Sequence, residues 1–134
     1  MDFRQTYCFD DVLLTPKYSD IKSRSEVNLR SKLSSTISLD LPVVSSPMDT
    51  VTESRMAIAM QRAGGLGVIH RYNTIERQTE LVKLAASDID TVAAAIGVTG
   101  DFLERAQEAV AAGADVVCVD IAHGHHVMMK NALK

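Results

Sequence analysis

The sequence predicts an α/β protein built on a parallel sheet, and three observations lead there. Four short apolar runs, at residues 42–46, 66–70, 91–98 and 115–121, have the length and β-branched character of strands buried on both faces. Counted from Val43, Leu66, Val92 and Asp115, their starts lie 23, 26 and 23 positions apart, one strand-plus-helix unit each time. Aromatic residues make up only 4% of the chain, and Trp is absent, a mix suited to helices packed closely on a buried sheet rather than to a β-sandwich. Alternating strands and helices force parallel pairing, because each helix must carry the chain back before the next strand begins.

Residues 1–40 stand apart from this rhythm. They read as a lead-in lying across one end of the sheet, with short strands at 9–14 and 26–29 and a polar stretch between them. Residues 41–134 read as four β/α units, and the whole chain as a single domain. After the first strand, Thr50-Val51-Thr52-Glu53 has the Thr-x-x-Glu spacing of a capping box. Met56, Met60 and Ala63 then share one face of a helix, which Gly64-Gly65 ends because glycine takes a positive φ at little cost. Asn73-Thr74-Ile75-Glu76 opens a second helix running to about Ala86. Asp101-Phe102-Leu103-Glu104 opens a third, in which Leu103, Ala106 and Val110 repeat at helical spacing and Gly113 is the stop.

An apolar content of 46% with 23% charged residues is that of a packed globular domain, not a disordered tail. The 14 basic and 17 acidic residues are scattered and sum to −3, so no basic stripe is available to track a nucleic-acid backbone. No stretch approaches the roughly 18 apolar residues that span a bilayer, and acidic residues occupy the N-terminus where a signal peptide needs an apolar core. The expectation is a cytoplasmic protein with no membrane and no nucleic-acid partner. Cys8 and Cys118 lie far apart in apolar surroundings, with neither disulfide nor metal-ligand spacing, and Cys118 reads as a small core residue.

In parallel α/β folds the binding face lies beyond the carboxyl ends of the strands. That rule selects Ser46, Met48 and Asp49, then His70 and Arg71, then residues 97–100, then residues 120–126. Each has a plainer explanation. Residues 46–49 equally suit a loop entering a helix, and His70-Arg71 suits a solvated strand end better than a ligand. Gly64-Gly65-x-Gly67 precedes a strand rather than a helix, so it is a tight turn and not a phosphate loop. His123, His125 and His126 have no accompanying His-Glu-x-x-His pattern or cysteine pair, and no metal site is expected there. Asp120 is the most informative of the set, because a carboxylate at the mouth of a sheet can accept paired hydrogen bonds from a ribose diol.

Several longer motifs resemble one family. FDDVLLTP at 9–16, PVVSSPMDTVTE at 42–53, MAIAM at 56–60 and GGLGVIH at 64–70 are similar to the N-terminal part of the IMP dehydrogenase/GMP reductase family, and the similarity resumes at 94–97 and at 111–125, AAGADVVCVDIAHGH. The resemblance covers nearly the whole chain in order. It implies the N-terminal half of a (β/α)8 TIM barrel that binds a purine mononucleotide and a nicotinamide cofactor, NAD or alternatively NADP, at the strand C-termini. It assigns Ser46 and Met48 to the nucleotide, and Asp120, Ala122 and His123 to the nicotinamide side of the cofactor. In the dehydrogenase a cysteine attacks C2 of the purine, hydride passes to NAD, and water releases xanthosine monophosphate. In the reductase ammonia leaves GMP and NADPH supplies the hydride. The family cysteine belongs to a Gly-rich loop after the sixth strand, so neither Cys8 nor Cys118 corresponds to it and no catalytic residue is expected in this chain. A monovalent cation bound elsewhere in the full-length enzyme and a homotetramer are also implied.

The chain departs from the family pattern in informative places. Many of the dehydrogenases insert a paired regulatory CBS module after the second helix, whereas residues 84–90 here lead directly into the third strand, as in the reductases. Residues 22–27 also look reductase-like, while Pro47 and Thr52-Glu53 look dehydrogenase-like, and His126 stands where Ser is common. The leading expectation is IMP dehydrogenase, with GMP reductase as the alternative. A third reading is a non-catalytic half-barrel fragment, whose four strands alone leave both sheet edges unpaired and favour self-association.

Overall fold

The computed structural model describes residues 3–134. Residues 3–30 are exposed throughout, and their only regular features are 3-10 turns at Phe9–Asp11 and Arg24–Glu26. The strands expected at 9–14 and 26–29 are therefore absent. Asp11 turns the first of these segments, its carboxylate accepting the Cys8 backbone N–H at 3.0 Å and the thiol at 3.2 Å. Cys8 is accordingly exposed rather than set among buried apolar groups. The lead-in forms its strands later, as an antiparallel hairpin of β1 (Ser31–Lys32) and β2 (Ser38–Leu39). Leu39 is buried against Leu66 and Val68, and the Leu41 N–H bonds the Gly64 carbonyl at 2.8 Å. The end of the lead-in thus lies across the N-terminal end of the sheet.

Strands β3 (Val44–Ser45), β4 (Leu66–Ile69), β5 (Ala93–Ile96) and β6 (Val116–Val119) form one parallel sheet in that order. Each is shorter than its apolar run. The register pairs Val68 with Ala93, Ala93 with Val116 and Ala95 with Cys118, so these side chains share one face together with Leu66. Ile69 and Ala94 point to the opposite face, against Ala57, Leu81, Val82, Ala85 and Ala109 of the helices. Burial on both faces explains why the strands read as continuous apolar runs. This is the layout of the first half of a (β/α)8 barrel, with α1 (Ser54–Arg62), α2 (Ile75–Ala86), α3 (Phe102–Ala111) and α4 (Val127–Ala132) following the successive strands.

The helix ends divide into those the sequence predicts and those it does not. Thr74 caps α2 by accepting the Arg77 N–H, and Glu76 in the first turn has its carboxyl held below the ordinary value by its own backbone N–H and then by Thr74. Gly64 and Gly113, at φ of 90° and 108°, end α1 and α3. The capping box at 50–53 does not form: α1 starts after Glu53, whose side chain makes no cap bond. Within the same loop the Thr52 hydroxyl lies 2.7 Å from the Ser46 carbonyl oxygen, to which it donates, and 2.8 Å from Ser45 Oγ. Asp101 precedes α3, yet its carboxylate bonds Arg105 and no backbone N–H.

The expected apolar stripes are also displaced. Met56, Leu103 and Val110 are exposed, while Ser54 and Ala57 of α1 and Arg105 and Ala109 of α3 are buried. Small residues win because α1 lies directly on the sheet: a Cβ at Gly67 would stand 2.6 Å from the Cα of Ala57. Between α2 and β5 the chain needs only residues 87–92, and Arg62 grips Asp88 through two bonds of 2.7 and 2.8 Å. Gly67→Ala is expected to lower stability by about 1–3 kcal/mol, the cost of overpacking a close contact. Gly124→Ala, where a Cβ meets nothing within 4 Å, should stay within about 0.5 kcal/mol. Urea unfolding of both variants checks the pair.

Candidate functional site

Parallel pairing in sequential order brings the ends of β3, β4, β5 and β6 to one mouth. The loop after β3 doubles back at once, Met48 N–H bonding the Ser46 carbonyl at 2.9 Å and Thr52 N–H bonding the Met48 carbonyl at 2.9 Å. Thr52 is fully buried beneath it, leaving Ser46 and Met48 exposed on top. Asp120, at the tip of β6, is partly exposed, and Ala122 and His123 in the loop beyond are fully on the surface. The two groups of expected ligands therefore occupy the outer strands of the four. Strand spacing sets them about 14 Å apart along the sheet.

His70, at the tip of β4, is buried rather than solvated. Its Nδ1 accepts the Tyr72 N–H at 3.1 Å, so the proton of the neutral ring sits on Nε2, 3.5 Å from Glu53 Oε1. The histidine braces the entry to α1 and offers no free nitrogen to a ligand. The rings of His123 and His125 lie 6.4 Å apart, as do those of His123 and His126. His126 Nδ1 accepts the Met128 N–H at the start of α4. Among the described residues no group of three or more His, Cys, Asp or Glu is arranged to hold a metal ion.

A buried polar network supports the mouth from behind. The Gln78 side-chain amide donates to the carbonyls of His70 at 3.0 Å and Ala95 at 2.8 Å, joining the ends of β4 and β5. Its oxygen accepts from Arg105 Nη1 at 3.1 Å, and Arg105 Nη2 donates to the Asn73 carbonyl at 3.0 Å and Asp101 Oδ2 at 2.7 Å. Gln78 is 1% exposed and Arg105 is buried with it. Sequence reasoning passed over both residues, although Gln78 shares its helix face with Leu81, Val82 and Ala85, and a polar residue in an apolar face is the available signal.

Arg71 crosses this framework sideways. From the tip of β4 its Nη2 donates to the Asp120 carbonyl at 3.1 Å, and its Nε lies 3.6 Å from Asp120 Oδ2. Cys118, one pleat below Asp120, faces Val116 and Ala95 on the inner side of the sheet. Burial, and secondarily the Asp120 charge, push its thiol pKa upward.

The sequence pattern described as the IMP dehydrogenase / GMP reductase domain matches residues 6–134. The chain belongs to that family. It is 36% identical to the inosine-5'-monophosphate dehydrogenase of Cryptosporidium parvum over 94% of its own length and 42% of that protein. It is 32% identical to the Borreliella burgdorferi enzyme of the same name over 98% and 45%, and 57% identical to that of Nitrosopumilus maritimus over 65% and 18%. The chain thus spans less than half the length of these family members. The Cryptosporidium alignment runs over 169 positions, more than the 134 residues of the chain, so that relative carries extra residues inside the matched span.

Gln78→Leu should cost about 2–4 kcal/mol in urea unfolding, because it strands two strand-end carbonyls and one buried guanidinium N–H. For Cys118 a raised pKa means less thiolate at any given pH. Iodoacetamide should label Cys8 first, and the Cys118 rate should reach its plateau at a higher pH than that of an ordinary thiol. Mass spectrometry of the labelled peptides reads both rates.

Proposed function

We propose that these residues form the N-terminal half of the catalytic barrel of an IMP dehydrogenase, the lead-in being residues 1–40 and the first four β/α units residues 41–134. One observation carries the reading: the positions that the family assigns to nucleotide and to cofactor stand on strand tips at the same end of one parallel sheet. The three relatives described above, each an inosine-5'-monophosphate dehydrogenase, favour the dehydrogenase within the family.

On this reading the Ser46 hydroxyl bonds the mononucleotide, and the exposed Met48 thioether packs on its purine ring as a soft, adaptable apolar surface. Asp120 accepts the hydroxyls of the cofactor ribose, with Ala122 and His123 lining the same side. A carboxylate left partly open at the mouth suits that diol. Bound NAD supplies the acceptor for hydride leaving C2 of the purine. Cys118 faces the inner side of the sheet with its thiol pKa raised, and Cys8 lies in the exposed lead-in, so neither serves as the nucleophile. That group comes from later β/α units of the longer polypeptide. A cytoplasmic homotetramer and a monovalent cation held outside these residues complete the proposal. No helix among the described residues is long and apolar enough to cross a membrane.

GMP reductase is the second reading, favoured by the direct connection from α2 to β5 and by the reductase-like residues 22–27. Steady-state assays of the full-length polypeptide separate the two. NADH should appear with IMP and NAD, and no NADPH should be consumed with GMP; the reverse result rejects the dehydrogenase. The 134 residues alone should give no NADH above background, because the nucleophile is not among them.

A further inference from the structure

Three neighbouring strand tips carry one continuous side-chain contact. Arg71 starts at the end of β4, passes over the tip of β5 and reaches Asp120 at the end of β6. It can cross because residue 97 is glycine: a Cβ there would stand 3.3 Å from Arg71 Nη1 and 3.6 Å from Cζ. The Tyr72 ring lies 5.2 Å from Cζ, within cation–π range. The side chains of Arg71 and Asp120 are 31% and 29% exposed, so solvent screens their attraction only in part. Arg71 Nε is buried and has no hydrogen-bond partner, with the Asp120 carboxylate just beyond bonding distance at 3.6 Å.

We propose that Arg71 is a positioning residue that aims the Asp120 carboxylate at the ribose diol of the dinucleotide. The inference rests on the dehydrogenase reading and deepens it. A guanidinium presents several N–H groups in a fixed plane, so one can hold the Asp120 carbonyl while another faces the carboxylate of the same residue. Backbone and side chain of Asp120 are thereby fixed relative to each other. Closing the remaining gap by about 0.5 Å turns the Nε contact into a hydrogen bond, the kind of tightening seen when a ligand completes a site. Lysine has the charge without the planar fork and satisfies one of the two contacts. The glycine at 97 and the arginine at 71 act together, since a Cβ at 97 would press on Nη1 at 3.3 Å and shift the guanidinium by a few tenths of an ångström.

The test uses the full-length polypeptide, with calorimetric titration of NAD and of IMP beside steady-state kinetics. Arg71→Met should weaken NAD binding and raise the KM for NAD about tenfold, leaving IMP affinity and kcat within about twofold. Arg71→Lys should recover part of the loss. Gly97→Ala keeps the charge but shifts the guanidinium, and should weaken NAD in the same direction by a smaller factor. An Arg71→Met protein that binds NAD as the parent does overturns the proposal. Equal losses of NAD and IMP affinity also overturn it, because they mark a general collapse of the mouth. A parent protein that binds neither ligand overturns the dehydrogenase reading itself and the role of Arg71 with it, a result distinct from either variant outcome.

Discussion

The two hydrogen bonds that Gln78 donates, to the carbonyls of His70 and Ala95, are the constraint on which the mouth of the sheet depends. At the ends of β4 and β5 the ladder stops while the backbone is still buried, and buried carbonyls need partners that water cannot supply there. A side chain from α2 meets both at once and is itself held by Arg105. Helix and strand ends are thereby fixed to one another through a polar core, and the residues that follow, Arg71 and Gly97, inherit their positions from it.

Much of the fold was legible because its signals are local and repeated. Strand spacing gave four parallel units, Thr74 announced α2, and Gly64 and Gly113 marked helix ends through a conformation that other residues adopt at a cost. Periodicity was less reliable for the helix faces. It follows hydrophobic bulk, so it selected Met56, Leu103 and Val110, whereas contact distance selected Ala57 and Ala109. The lead-in misled for a related reason: Phe9, Leu13 and Leu14 look strand-like, but a strand forms only where a partner lies beside it, and these side chains are exposed.

The candidate site divides in the same way. The rule that ligands meet the carboxyl ends of parallel strands selected Ser46, Met48 and Asp120 as candidates, and the structure puts them at one end of the sheet. It could not show how those ends are braced, because the braces run between elements far apart in sequence. Gln78 and Arg105 are 27 positions apart, and Arg71 and Asp120 are 49. The capping pattern at 50–53 shows the opposite failure: the spacing was present, but the loop stays turned through Thr52 and the helix begins only at Ser54, so Thr50 lies too far upstream to cap it.

The link between α2 and β5 has a consequence for where extra chain can enter. Its six residues lie at the end of the sheet away from the strand tips, and Arg62 with Asp88 clasps them against the close of α1. An accessory unit spliced in here would enter and leave through neighbouring points, and the opposite rim would keep its geometry. Extra chain is therefore accommodated at this seam without disturbing the strand tips.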